Sequence, residues 1–85
     1  MRFRVEPSFD LPDHKCWECW IGKHCEGDIT YLGPSHELVV KECHSVGYFL
    51  DVIGNDLVVY DDGPFVTFEA ALAAFEKALM GREQQ

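Results

Sequence analysis

The chain has 85 residues, of which 47% are hydrophobic and 26% are charged. A chain of this length holds one globular domain, and its near-average composition excludes both a disordered and a membrane class. The formal net charge of −8, from seven basic and 15 acidic residues, argues against direct binding to nucleic acid, because that affinity depends on Lys and Arg neutralising phosphates.

Residues 1–7 contain no apolar run long enough for a signal peptide, and no segment approaches the ~20 apolar residues of a membrane span. We therefore expect a cytoplasmic protein. Thiols stay reduced in that compartment, so the even number of cysteines does not favour a disulfide framework.

The first half of the chain shows weak periodicity. Residues 2–6 alternate charged and apolar side chains as a half-buried strand does, and Pro7 is expected to end that strand. Residues 8–15 carry a proline and two aspartates, which predicts a loop. The aromatic segment 16–21 and the segment 28–32 are predicted to be strands.

The second half begins with three segments rich in β-branched and aromatic residues. Segments 37–43, 46–53 and 57–60 predict three successive antiparallel strands. A tight hairpin turn is expected at residues 54–55, where Gly and Asn supply positive φ angles. The sequence Asp-Asp-Gly-Pro at 61–64 is expected to end the sheet.

A helix is predicted near the end of the chain. Thr67 is placed to cap its N-terminus and Gly81 its C-terminus. Four apolar residues recur at helical spacing and are expected to pack on the sheet: Phe68, Leu72, Phe75 and Leu79.

Together these elements predict one α+β domain over residues 1–85, with a small antiparallel sheet of about four to five strands and one C-terminal helix packed on one face. Residues 1–36 contribute an N-terminal strand and a Cys/Trp-rich segment. Residues 37–81 form the strand–strand–hairpin–helix core, and residues 82–85 are expected to fray.

The cysteines permit a zinc site, free thiols or a redox pair, and the redox pair is disfavoured because no helical pattern follows Cys19. Cys16 and Cys19 form a C-x-x-C pair, and a structural zinc ion held by Cys16, Cys19, Cys25 and Cys43 would make the chain a small adaptor domain. Against a zinc site, the second ligand pair lacks regular spacing. The alternative is that the thiols are free and half-buried in strands.

The sequence contains no glycine-rich phosphate loop, no Ser nucleophile motif and no metalloprotease motif. His24 precedes Cys25 and His44 follows Cys43 in the sequence. Neighbouring residues on a strand point to opposite faces, so neither histidine is placed to activate the thiol beside it. We therefore expect a protein without enzymatic activity.

A non-enzymatic binding module is the leading hypothesis. Trp17 and Trp20 have opposite strand parity, so in an extended segment one should face the core and the other a partner or solvent. The alternative is an irregular loop with both rings folded inward. Between Lys41 and Lys77 the chain has no basic residue. The acidic stretch is either a solvated face or a contact surface for a basic protein. A homodimer is a separate alternative for the partner. The predicted contact residues are Trp17, Trp20, Asp51, Asp56, Asp61, Asp62, Glu69 and Glu76.

In size, acidity and lack of catalytic motifs, the chain is similar to small phage or mobile-element proteins that block bacterial nucleic-acid machinery, including anti-CRISPR proteins. The similarity is one of composition. It implies an inhibitor that engages the basic surface of a nucleic-acid-binding protein, with no nucleic acid bound directly.

Overall fold

Five strands follow one another in chain order across the described part of the sheet, each antiparallel to its neighbour. The computed structural model describes residues 3–53 and 58–83, with the backbone alone at 58–62 and 82–83. The elements are β1 (Arg4–Leu11), β2 (His14–Ile21), β3 (His24–Leu32), α1 (Glu37–Val40), β4 (Gly47–Ile53), β5 (Val58–Phe65) and α2 (Phe68–Glu83). The α+β fold predicted from the sequence is confirmed.

Strand β1 is longer than the sequence predicted. Pro7 does not end it, and most of the predicted loop 8–15 belongs to β1 and β2. The proline is tolerated because β1 is an edge strand, and the register shifts between Pro7 and Phe9. Strands β2 and β3 cover the predicted segments 16–21 and 28–32, with a turn at Gly22, whose φ is +59°.

The strand predicted over 37–43 is wrong, because α1 occupies its first half. The His36 side chain caps this short helix, with its Nδ1 accepting a hydrogen bond from the Leu38 amide at 3.1 Å. Lys41 Nζ lies 2.7 Å from Glu37 Oε1, one helical turn away. These local contacts override the β propensity of the Leu-Val-Val run.

Strand β4 confirms the strand predicted over 46–53, and the predicted turn at 54–55 lies outside the described residues. The expected end of the sheet at 61–64 is wrong, because β5 continues to Phe65. Gly63 makes this possible. Its φ is +138°, and a Cβ there would lie 2.8 Å from the Tyr48 carbonyl oxygen.

Helix α2 begins as the sequence predicted. The Thr67 hydroxyl oxygen accepts a hydrogen bond from the Ala70 amide at 3.1 Å, which confirms the N-cap. The C-cap predicted at Gly81 is wrong, since the helix continues to Glu83. Gly81 keeps a helical backbone, and the Arg and Glu that follow it are good helix formers.

The core lies between α2 and one face of the sheet. Phe75, Leu79 and Ala71 are fully or almost fully buried against β-strand side chains. Phe68 and Leu72 are partly buried at its edge, so the predicted apolar stripe is confirmed. The sheet contributes Cys19, Ile29, Leu50 and Val52.

Gly27 allows the helix to approach the sheet closely. A Cβ at this position would lie 3.1 Å from the Phe75 ring and 2.5 Å from the Asp51 carbonyl oxygen. Helix α2 therefore covers one face of the sheet, and the opposite face carries the candidate site.

Candidate functional site on the open face of the sheet

The side chains of a strand alternate between the two faces of a sheet. Trp17, Ile29 and Leu50 are cross-strand neighbours on the face that α2 covers. Residues of the opposite parity form what we call the open face. Its members include Arg4, Glu6, Cys16, Glu18, Trp20, Asp28, Thr30, Phe49 and Asp51.

A row of carboxylates crosses the open face. Glu6 lies opposite Glu18, Glu18 opposite Asp28, and Asp28 opposite Asp51. We call these four residues the acidic rung. On β5 the backbone of Asp61 pairs with that of Asp51.

Like charges directly opposite each other on neighbouring strands repel, and Asp28 is affected most clearly. Burial raises the pKa of its carboxyl, and the Glu18 charge raises it further. A hydrogen bond from Thr30 acts in the opposite direction. Arg4 pairs with Glu6 at the outer end of the rung, with Nε 3.3 Å from Oε2. This pair is exposed and therefore contributes little stability.

The two tryptophans occupy opposite faces, as the strand parity predicted. Trp17 packs on the core side, with its ring centroid 4.8 Å from that of Phe68 and 6.1 Å from that of Tyr48. Trp20 lies on the open face, and the Arg4 guanidinium is 5.5 Å from its ring centroid. The buried Trp20 Nε1 has no hydrogen-bond partner among the described residues. A contact between Trp20 and a partner protein stays a prediction.

The structure does not bring the predicted acidic contact residues onto one surface. Asp51 lies on the open face, whereas Glu69 and Glu76 are exposed on α2, on the other side of the sheet. Asp56 lies outside the described residues, as do the side chains of Asp61 and Asp62. The described acidic residues of the second half, which were expected to form one surface, therefore lie on two different sides of the sheet.

Sequence reasoning missed Glu6, Glu18 and Asp28. The usable signal was the hairpin that turns at Gly22 between two strands, because it places residues on either side of the turn opposite each other. A register shift in this hairpin makes Glu26 the extra residue of β3, and this shift aligns Glu18 with Asp28.

The four cysteines do not converge. Cys16 and Cys19 point to opposite faces because they are three residues apart on one strand. Cys25 pairs with Trp20 on β2, and Cys43 is exposed after α1. The described residues contain no group of three or more His, Cys, Asp or Glu side chains placed to hold a metal ion.

Three of the four thiols, those of Cys16, Cys19 and Cys25, have raised pKa values. Burial raises the pKa of Cys16 and Cys25, and it raises the pKa of Cys19 to about 12. Metal ligation and nucleophilic attack both require the thiolate. These raised pKa values disfavour the thiolate form of Cys16, Cys19 and Cys25 in the free chain, and a zinc ion held by the cysteines stays a prediction.

A cavity of about 310 Å³ opens between the sheet and the segment that contains α1. The rings of His14 and His36 pack edge to face with their centroids 4.6 Å apart. Those of His44 and Phe49 pack in the same way, with their centroids 5.4 Å apart. We call this space the ring cavity. Its lining comprises His14, Thr30, His36, His44, Phe49 and Asp51, together with two leucines.

No family model, curated protein or solved structure matches the chain. Within residues 3–53 and 58–83, neither helix has the length and apolar character required to cross a bilayer.

Proposed function

We propose that this chain is a non-enzymatic binding module whose open face engages a basic surface of another protein. The observation that carries the proposal is the acidic rung, which aligns like charges across four neighbouring strands. Repulsion between neighbouring carboxylates is unfavourable in the free protein, and it is clearest at Asp28, whose pKa is raised by the Glu18 charge. A cationic partner would replace that repulsion with attraction. Relief of the repulsion would therefore make the free energy of binding more favourable.

Exposed apolar side chains beside the rung favour a protein partner over a small cation. Phe9 is 40% exposed and pairs with Cys16, on the open face. Leu11 is 56% exposed and pairs with His14, which lines the ring cavity. A surface that combines large apolar side chains with aligned charges is suited to a protein interface.

The partner class that fits this surface is a protein whose basic groove binds nucleic acid. Such a groove recognises negative charges in series, and the acidic rung presents carboxylates in series. By occupying the groove, the module would act as an inhibitor. Complementary charge would speed association and make the complex sensitive to salt.

The test compares two double variants that remove the same charge. Glu18→Gln with Asp28→Asn neutralises the two central carboxylates of the rung, and Glu69→Gln with Glu76→Gln neutralises two exposed positions on α2. An oligolysine peptide serves as the probe, and calorimetry at low salt measures its dissociation constant. A charge contact at 4 Å in water is worth ~1 kcal/mol, so losing two contacts should weaken binding by about thirtyfold.

The α2 variant should bind almost as well as the unmodified chain. Equal weakening by the two variants would show that the peptide responds to net charge alone, and the proposed function would fail. Absence of binding by the unmodified chain at low salt would have the same consequence.

A further inference from the structure

The ring cavity adjoins the acidic rung, because Asp51 belongs to both. Asp51 supplies a carboxylate, Thr30 a hydroxyl, and Phe49 with the three histidines supplies aromatic faces and edges. None of the residues that line the cavity is Lys or Arg. An aromatic lining next to a carboxylate, without Lys or Arg, suits a cationic group.

From this lining we infer that the ring cavity receives an arginine side chain of the basic partner. The inference rests on the proposed function and specifies the residue that anchors the partner. A guanidinium is planar, stacks on aromatic faces and pairs with a carboxylate through two parallel hydrogen bonds. Phe49 and Asp51, two residues apart on β4 and both lining the cavity, would supply the ring and the carboxylate.

The rest of the cavity fits the remainder of the arginine side chain. Leu32 is almost fully buried in the cavity wall, and Leu38 is partly exposed on α1. These two residues can contact the apolar stem of an arginine, whose methylene groups prefer an apolar surface. A lysine ammonium is compact and strongly hydrated, so it gains less from the same lining.

The experiment compares oligoarginine and oligolysine peptides of equal length, each titrated into the full chain at low salt. The unmodified chain should bind oligoarginine about two- to fivefold more tightly, the factor that a partly exposed cation–π contact provides. Phe49→Leu should abolish the preference, whereas Phe49→Tyr should retain it. Circular dichroism verifies that each variant is folded.

A second pair of variants keeps the inference testable if Phe49→Leu does not fold. Leu38→Arg places a guanidinium beside the cavity from within the chain and should abolish the preference for oligoarginine. Val40→Arg makes the same change in charge on α1, at a residue that is 65% exposed and does not line the cavity. It should keep the preference.

The outcomes separate the inference from the proposed function. If both peptides bind equally tightly and both lose affinity when Glu18 and Asp28 are neutralised, the rung binds cations but the ring cavity does not select arginine. That result overturns the inference alone. If neither peptide binds, the proposed function and the inference both fall.

Discussion

Replacing Asp28 with asparagine should stabilise the protein at neutral pH. Asp28 lies between Glu18 and Asp51, and each like-charge pair on opposing strands costs roughly 0.2–1 kcal/mol. Asparagine removes the repulsion by Glu18, which is the charge that raises the Asp28 pKa, and keeps an acceptor for the Thr30 hydrogen bond. We expect the free energy of unfolding to rise by about 1 kcal/mol, which corresponds to about 4–8 °C in melting temperature for a domain of this size.

Urea denaturation at pH 7 and at lower pH measures this effect. Because the pKa of Asp28 is raised in the folded state, the folded chain binds the proton more tightly than the unfolded chain does. The unmodified protein therefore gains stability relative to the variant as the pH falls through the folded-state pKa. The advantage of Asp28→Asn should be complete at pH 7 and should shrink on acidification.

The control is Glu76→Gln, an exposed change on α2 that removes the same charge and should alter stability by less than about 0.5 kcal/mol. The electrostatic account of the rung would be refuted if Asp28→Asn were no more stable than the unmodified chain at pH 7. A gain that stayed constant with pH would refute it as well, since the repulsion requires an ionised carboxylate.

Two further predictions concern the helix and the thiols. Thr67→Ala should lower the free energy of unfolding by about 1 kcal/mol, because the Ala70 amide loses its acceptor, whereas Thr67→Ser should retain most of the stability in the same urea titration. In the native protein Cys43 should react fastest with a thiol-specific reagent and Cys19 slowest, since Cys43 is exposed and burial raises the Cys19 pKa to about 12. Loss of the fast phase in Cys43→Ser would confirm the assignment, and a fast phase that persisted would contradict it.

The sequence was sufficient to predict α2 and the class of fold. A stripe from Phe68 to Leu79 at helical spacing, preceded by a capping threonine, is a local signal that tertiary contacts reinforce. Strand β4 was predicted for a similar reason, because its β-branched and aromatic residues fit a half-buried strand.

The sequence was insufficient where one local preference competed with another. The Leu-Val-Val run of α1 has β propensity, yet the His36 cap and the Glu37–Lys41 pair favour a helical turn. Pro7 and Pro64 signal strand ends in most contexts. Both are tolerated here because β1 and β5 form the two edges of the sheet, and strand order is not visible in the sequence.

The acidic rung could not be predicted because it depends on register. A shift of one residue moves every side chain of a strand to the opposite face. Two register shifts, between Pro7 and Phe9 and between Cys19 and Trp20, set which residues of β1, β2 and β3 lie opposite each other. The sequence shows where carboxylates occur but does not show these bulges.

The side chains on both faces of the sheet contribute to the free energy of unfolding of the same strands. At roughly 0.2–1 kcal/mol each, the three like-charge pairs of the rung together cost about 0.6–3 kcal/mol, compared with the ~5–15 kcal/mol that keeps a domain folded. Burial of Phe75 against Gly27 and its neighbours on the opposite face offsets that cost. Removing a carboxylate charge from the rung, as in Asp28→Asn, should therefore stabilise the free protein and lower its affinity for the proposed basic partner.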